Sequence, residues 1–190
     1  MSDSMDLDAA LRSFDGFARV SQPEAPGMIS LRAKTGTQGL AKAVKSVTGT
    51  GLPGQRAILH DGPRAAAWMS PDEWLLILPR ADVTAALATL SAALAGRHHL
   101  AAEVSDARAM FRIDGALAAD VLAKLTPADV AHLPAGEIRR SRLAQVAAAF
   151  WREGGGISVV TFRSVGDYAW GLLVNAAAPG GELGPARQDA

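Results

Sequence analysis

Cysteine is absent from this chain, and that absence removes several chemistries together. There is no disulfide framework, no thiolate nucleophile and no cysteine metal site. No apolar run approaches the ~20 residues that a membrane-spanning helix needs. An excess of charge of one sign is missing too: Lys+Arg is 19 and Asp+Glu is 19, for a formal net charge of zero. Such a balance lacks the basic footprint that non-specific nucleic-acid binding requires, and it gives no general attraction to anionic membranes. A neutral chain is also poorly protected against self-association, which suits a subunit of a larger assembly. The opening, Met1-Ser2-Asp3-Ser4-Met5-Asp6-Leu7-Asp8, is acidic and has no cationic region followed by an apolar core. No secretory signal is expected there, and the cytoplasm is the expected compartment.

What is present is alanine and arginine, with little lysine, a bias that a bacterial genome of high GC content often produces. The 190 residues, 49% apolar, can bury a sizeable core. The expected organisation is an N-terminal arm over 1–25, a single α+β domain over 26–176 and a disordered C-terminal tail over 177–190. In the arm, Leu7, Leu11, Phe14 and Phe17 fit a helical spacing. In the tail, Pro179, Gly180, Gly181 and Pro185 oppose regular structure.

The chain is organised around Met69-Ser70-Pro71-Asp72-Glu73-Trp74-Leu75-Leu76-Ile77-Leu78-Pro79. A polar, proline-containing turn precedes a bulky apolar run of strand length. Pro79 stops the run, lacking an amide hydrogen for a ladder and disfavouring a helix through Leu78. Ala65 to Met69 reads as the preceding strand. Asp82 can cap a following helix with Val83, Ala86, Leu87, Leu90 and Leu94 on its apolar face, ended by Gly96. Upstream, Met28 to Arg32 alternates as a strand. Thr37 then opens a short helix with Leu40, Val44 and Val47 inward, and Arg56 to His60 is a strand before the Asp61-Gly62 turn. The Gly49-Thr50-Gly51 loop follows a helix and lacks a third glycine or a Lys-Ser/Thr, so it reads as a helix stop and turn and not a phosphate loop.

Downstream, Leu100 to Val104 and Ala109 to Ile113 read as strands joined by Ser105-Asp106-Ala107-Arg108. A helix face follows at Leu117, Val121, Leu122 and Leu125. Thr126-Pro127 is expected to start a turn of helix reaching Leu133. Ile138–Leu143 and Val146–Trp151 read as a strand pair, and Ile157–Phe162 as a β-branched strand. Ser164 to Asp167 approximates a capping box for a helix carrying Tyr168, Leu172, Trp170 and Leu173. Two strands followed by a helix occur at 65–95, 100–125 and 146–175. These repeated β-β-α units, with tight turns, indicate an α+β fold of antiparallel sheets with packed helices.

Chemistry-bearing residues are few. His60, His98, His99 and His132 show no zinc-ligand spacing, and adjacent His98 and His99 would face opposite sides of a strand. Asp72 and Glu73 form a carboxylate pair, suited either to acid/base work or to a turn and strand start; in a strand they diverge. Asp106 and Arg108 are either a turn pair or a contact to a partner or ligand. Arg139, Arg140 and Arg142 form a basic edge, either solvated or facing an acidic patch. Arg163 stands where a strand meets a helix N-terminus, a place for an anion or simply a cap. No catalytic constellation is assembled by these residues.

Four segments, in order, resemble one known family. They are Leu31-Arg32-Ala33; Trp68-Met69-Ser70-Pro71-Asp72-Glu73-Trp74-Leu75-Leu76, similar to that family's W-L-G-P-D-E-W-L-L; Val104-Ser105-Asp106-Ala107-Arg108-Ala109 with Ile113-Asp114-Gly115; and Thr161-Phe162-Arg163-Ser164-Val165-Gly166-Asp167-Tyr168 with Trp170 and Leu173. The family is the gamma subunit of heterotetrameric sarcosine oxidase, and the resemblance runs from about residue 26 to 176. Departures are Met69-Ser70 for Leu-Gly, and Thr126-Pro127-Ala128-Asp129-Val130 where many members have a C-P-L-D-L-like segment. The resemblance implies a fold similar to the folate-binding domain of the glycine-cleavage T protein. It also implies a non-catalytic subunit of an oxidoreductase complex that converts sarcosine to glycine, forms peroxide and passes a one-carbon unit to tetrahydrofolate. Partners would be alpha, beta and delta subunits. FAD, FMN, NAD, zinc and tetrahydrofolate would lie on those partners, with no cofactor, metal or catalytic residue on this chain. Partner-contact candidates are then Asp72, Glu73, Trp74, Asp106, Arg108, Arg139, Arg140, Arg142 and Arg163. A stand-alone folate-binding, aminomethyltransferase-like protein is the alternative, and would need Asp72, Glu73 or Asp106 to line a pterin site. An RNA-binding relative fits least, given the zero net charge.

Overall fold

The computed structural model describes residues 11–184, among which lie eleven strands and four helices. These residues divide into two compact units, one built from Ala25–Arg108 with Gly136–Arg139, the other from residues 11–24, Ala109–Ala135 and residues 140–184.

The first unit is a five-stranded sheet carrying two helices. In chain order its elements are β3 (Gly27–Ala33), α1 (Leu40–Thr48), β4 (Ile58–Asp61), β5 (Arg64–Ser70), β6 (Glu73–Leu78), α2 (Val83–Ala93) and β7 (His99–Glu103). The sheet order is β4-β5-β6-β3-β7, and every neighbouring pair is antiparallel. All six residues of β6 are buried, so this strand shows no polar–apolar alternation; length and Pro79 identify it instead. Alternate positions Ile29, Leu31, Trp74, Leu76 and Leu78 meet Leu40, Val44 and Val47 of α1 and Val83, Ala86 and Leu90 of α2 in one core. Gly49 closes α1 at φ 76°, donating its N–H to Lys45 O, a conformation for which glycine carries no Cβ penalty. The expected cap residues act differently. Thr37 bonds Lys34 O at 2.7 Å while Gly39 occupies the helix boundary, and Asp82 spends its carboxylate on Arg64 at 2.6 Å.

The second unit is a six-stranded sheet in the order β1-β2-β8-β11-β10-β9, carrying α3 (Ala118–Ala123) and α4 (Gly166–Ala176). Its strands are β1 (Arg12–Asp15), β2 (Arg19–Gln22), β8 (Arg108–Asp114), β9 (Ile138–Leu143), β10 (Val146–Glu153) and β11 (Gly156–Phe162). Val20, Phe111, Ile113, Phe150, Ile157 and Val159 pack with Val121, Leu122, Ala169 and Leu173.

The stretch expected as an arm with a helical spacing is a β-hairpin in this sheet. β2 pairs antiparallel with both β1 and β8. Gly16 permits the connection because a Cβ there would overlap Ala177 O. Arg12 fastens the hairpin to α4 through Asp167 at 2.8 Å and by stacking 4.6 Å from the Trp170 ring. Of the helical stripe, Phe14 and Phe17 pack on the core and Leu11 is 69% exposed; Leu7 lies outside the described residues, as does the end of the expected tail.

Three further expectations are corrected. β7 and β8 do not form a hairpin: β7 pairs with β3, and β8 pairs with β2. The turn of helix after Thr126-Pro127 is replaced by turns, because side chains take the backbone amides: Thr126 Oγ1 accepts from Ala128 N and Asp129 Oδ1 from His132 N. Ser164 does not cap α4; it sits in a 3-10 turn, Arg163–Val165, ahead of the helix.

The two units share a strand order that the sequence conceals. In each, a strand, a helix, three consecutive strands and a helix follow one another, and the sheet reads first, second and third of those three strands, then the opening strand. β4-β5-β6-β3 matches β9-β10-β11-β8. Beyond β3 lies β7; in the same place beyond β8 lies β2.

Candidate functional site

The Pro71-Asp72 turn between β5 and β6 separates its two carboxylates. Asp72 is exposed, accepts Ser70 Oγ at 2.7 Å, and its carbonyl accepts Ala33 N at 3.1 Å. Glu73 is 8% exposed and accepts Ser30 Oγ at 3.2 Å and Arg32 Nη2 at 3.0 Å. The pair therefore diverges, as adjacent strand residues must. Trp74 is 2% exposed and donates Nε1–H to Pro53 O at 3.1 Å. It is a core residue, with its one polar atom satisfied internally, and offers no contact surface. This corrects its place among the partner-contact candidates: the tryptophan of the P-D-E-W-L-L run packs inward because β6 is buried throughout.

A concavity of about 450 Å³ opens beside this turn, lined by Arg32, Ala33, Lys34, Asp72, His98, His99 and Leu100. β3 supplies Arg32, and β7 pairs Leu100 directly opposite it. Lys34 and His98 stand just beyond the ends of those two strands. His99 bonds Arg97 O through Nδ1 at 2.9 Å. Sequence spacing treats His98 and His99 as diverging along a strand; His98 lies outside β7, so both reach the same hollow. Arg32, Lys34 and the histidine pair gather here only through the β3–β7 pairing, which no local motif encodes.

The remaining candidates are dispersed. Asp106, in the 3-10 turn Ser105–Ala107, pairs with Arg80, a residue that sequence reasoning passes over. Arg108 begins β8 and is half-buried. Arg139 turns to Glu137, which also holds Arg56, whereas Arg140 and Arg142 are exposed at alternate positions of β9. The expected basic edge is thus divided by the strand pleat: Arg139 is spent on an ion pair, and Arg140 and Arg142 share the other face. Arg163 is exposed at the 3-10 turn before α4. Asp129 has a shifted pKa: His132 lowers it below the usual carboxylate value, first through its ring hydrogen bond at 2.8 Å and then through its backbone N–H.

Among the described residues no three His, Cys, Asp or Glu side chains converge as metal ligands, and no helix is long and apolar enough to cross a membrane. Antiparallel sheets with helices packed on them define an α+β protein. The fold is shared with the glycine cleavage system aminomethyltransferase T from Bartonella henselae, at a TM-score of 0.59 and 14% identity, over 83% of this chain and 45% of that one. The chain belongs to the sarcosine oxidase gamma subunit family, whose model matches residues 32–179.

Two curated relatives agree with this. The sarcosine oxidase subunit gamma of Corynebacterium sp. strain P-1 is 33% identical over 131 residues, covering 66% of this chain and 63% of the relative. That of strain U-96 is 35% identical over 131 residues, covering 66% and 62%. The matches thus span less than two thirds of either relative's length. A chain of the heterotetrameric sarcosine oxidase from Corynebacterium sp. U-96, solved in complex with pyrrole 2-carboxylate, superposes with a TM-score of 0.77 at 25% identity, over 90% of this chain and 88% of that one.

Proposed function

We propose that this chain is the non-catalytic gamma subunit of a heterotetrameric sarcosine oxidase. It would support the oxidative demethylation of sarcosine to glycine, with peroxide formation and transfer of the one-carbon unit to tetrahydrofolate. The observation that carries the reading is the agreement with a chain of such an enzyme over 90% of the residues at a TM-score of 0.77. Alpha, beta and delta subunits are its partners, and FAD, FMN, NAD, zinc and tetrahydrofolate belong to them. The assembly works in the cytoplasm. Of the contact candidates, Asp72, Arg140, Arg142 and Arg163 are exposed, which supports their meeting a partner, and Asp106 and Arg108 lie at or beside the 3-10 turn Ser105–Ala107.

Co-purification tests this. A tag on this chain should bring down larger flavin-bearing chains as a yellow complex that makes peroxide only when sarcosine is added. A colourless monomer that binds tetrahydrofolate in a titration would overturn the reading in favour of a stand-alone folate protein.

A further inference from the structure

The two units differ at one position of their shared strand order. In the six-stranded sheet the strand beyond β8 is β2, and β1 lies outside it. In the five-stranded sheet the strand beyond β3 is β7, and among the described residues no strand lies outside it. Among the described residues, the place that β1 fills in one unit has no counterpart strand in the other.

The outward edge of β7 is suited to pairing. Val104 N donates to Met28 O at 2.8 Å, and Ala102 and Leu100 stand opposite Ser30 and Arg32. Bonding alternates along an antiparallel ladder, so these even-numbered residues bond towards β3. His99, Ala101 and Glu103 then turn their N–H and C=O groups away from the sheet. The strand His-Leu-Ala-Ala-Glu has no proline, lysine or bulge to blunt its edge. Leu100 is 55% exposed on the adjoining face. At the same end the 450 Å³ hollow places Arg32, Lys34, His98 and His99 against a single carboxylate, Asp72. Arg32 commits one Nη to Glu73 and leaves its side chain 53% exposed.

We propose that β7 is a docking edge that takes an extended segment of a partner subunit as a sixth strand, with an acidic side chain of that segment seated in the hollow between Arg32, Lys34 and His98. Backbone bonds to His99, Ala101 and Glu103 supply affinity, and the cationic hollow sets register and direction. This rests on the assembly reading above.

Amide hydrogen exchange on the peptide covering residues 99–103 tests it, in the isolated chain and in the co-purified complex. Exchange should slow at least tenfold in the complex. Ala101→Pro removes one outward N–H without touching the bonds to β3; it should cut recovery of the complex about tenfold while the isolated variant keeps its circular dichroism. Ala101→Val, which keeps the N–H, should assemble as the parent does. Lys34→Glu with His98→Glu should weaken assembly, most strongly at low salt. If Ala101→Pro fails to fold, the exchange comparison on the parent protein and the charge reversal decide. An intact, active complex with β7 exchanging as in the free chain overturns the docking edge and leaves the subunit assignment standing. Protection that grows with concentration of the isolated chain overturns it in favour of a second copy at this edge. Recovery of no partner overturns both readings.

Discussion

Arg112 is held on three sides. Its Nε donates to Asp114 Oδ1 at 2.8 Å, Nη1 to Ser158 Oγ at 3.2 Å and Nη2 to the Glu153 carbonyl. Glu153 in turn accepts Ser158 Oγ at 2.8 Å and Trp151 Nε1 at 3.2 Å. The residue is 8% exposed, so removing the guanidinium takes away the partner of the Asp114 carboxylate, while Ser158 Oγ keeps its bond to Glu153. Arg112→Met should lower stability by about 3 kcal/mol, read as a shift of the urea midpoint at unchanged slope. This cluster was not legible in the sequence, because its members come from three strands and lie up to 46 residues apart. The Asp129–His132 contact, by contrast, is local. Its folded carboxyl has a pKa below the ordinary 3.8, so the contact stabilises at pH above the unfolded value and is lost as pH falls through the folded one. An NMR titration should place Asp129 below the ordinary carboxylate value, and His132→Ala should raise it only part of the way back, because the backbone N–H of residue 132 still bonds the carboxylate.

Elements defined by local stops were readable. β6 is bracketed by a proline turn and Pro79, β4 and β5 by Asp61-Gly62, and α1 by Gly49, and all of them stand where those residues put them. Errors arose where side chains competed with helix formation, as Thr126 and Asp129 do, and where apolar spacing was ambiguous. Phe14 and Phe17 suit a helix stripe, yet Gly16 and the buried Val20 and Ser21 make a hairpin. That hairpin closes the sheet beside β8, and Val20 and Ala18 sit in the core of the unit. Deleting residues through Glu24 should therefore expose the β8 edge and open the core, not merely trim a terminus. The truncated chain should be insoluble or protease-sensitive within residues 109–135, whereas limited proteolysis of the full chain should spare them.

At the scale of the molecule, the duplicated strand order was invisible because it resides in pairing and not in residue identity. The same circumstance explains the misreading of β7 and β8. They are neighbours in sequence, joined by a short turn, and look like a hairpin; but Ser105 Oγ accepts Met28 N at 3.0 Å and donates to Glu103 at 3.1 Å, tying the turn to β3. β7 stays beside β3 and β8 enters another sheet. Zero net charge foretold neither arrangement, but it bears on what the chain does alone. Leu11 at 69%, Leu100 at 55%, Phe162 at 48% and Tyr168 at 46% leave large apolar side chains in water, with no excess charge to keep copies apart. In the proposed assembly, partners that cover some of this surface would bind only the folded chain, and assembly would then raise its stability by mass action. With partners at a hundredfold excess over Kd the gain is about 2.7 kcal/mol, which for a chain of this size corresponds to a Tm rise of about 5–10 °C. Differential scanning calorimetry of the chain alone, and of the chain with rising amounts of the co-purified partners, should show that rise growing with partner concentration. A Tm indifferent to partner concentration would mean that the folded chain gains nothing from assembly.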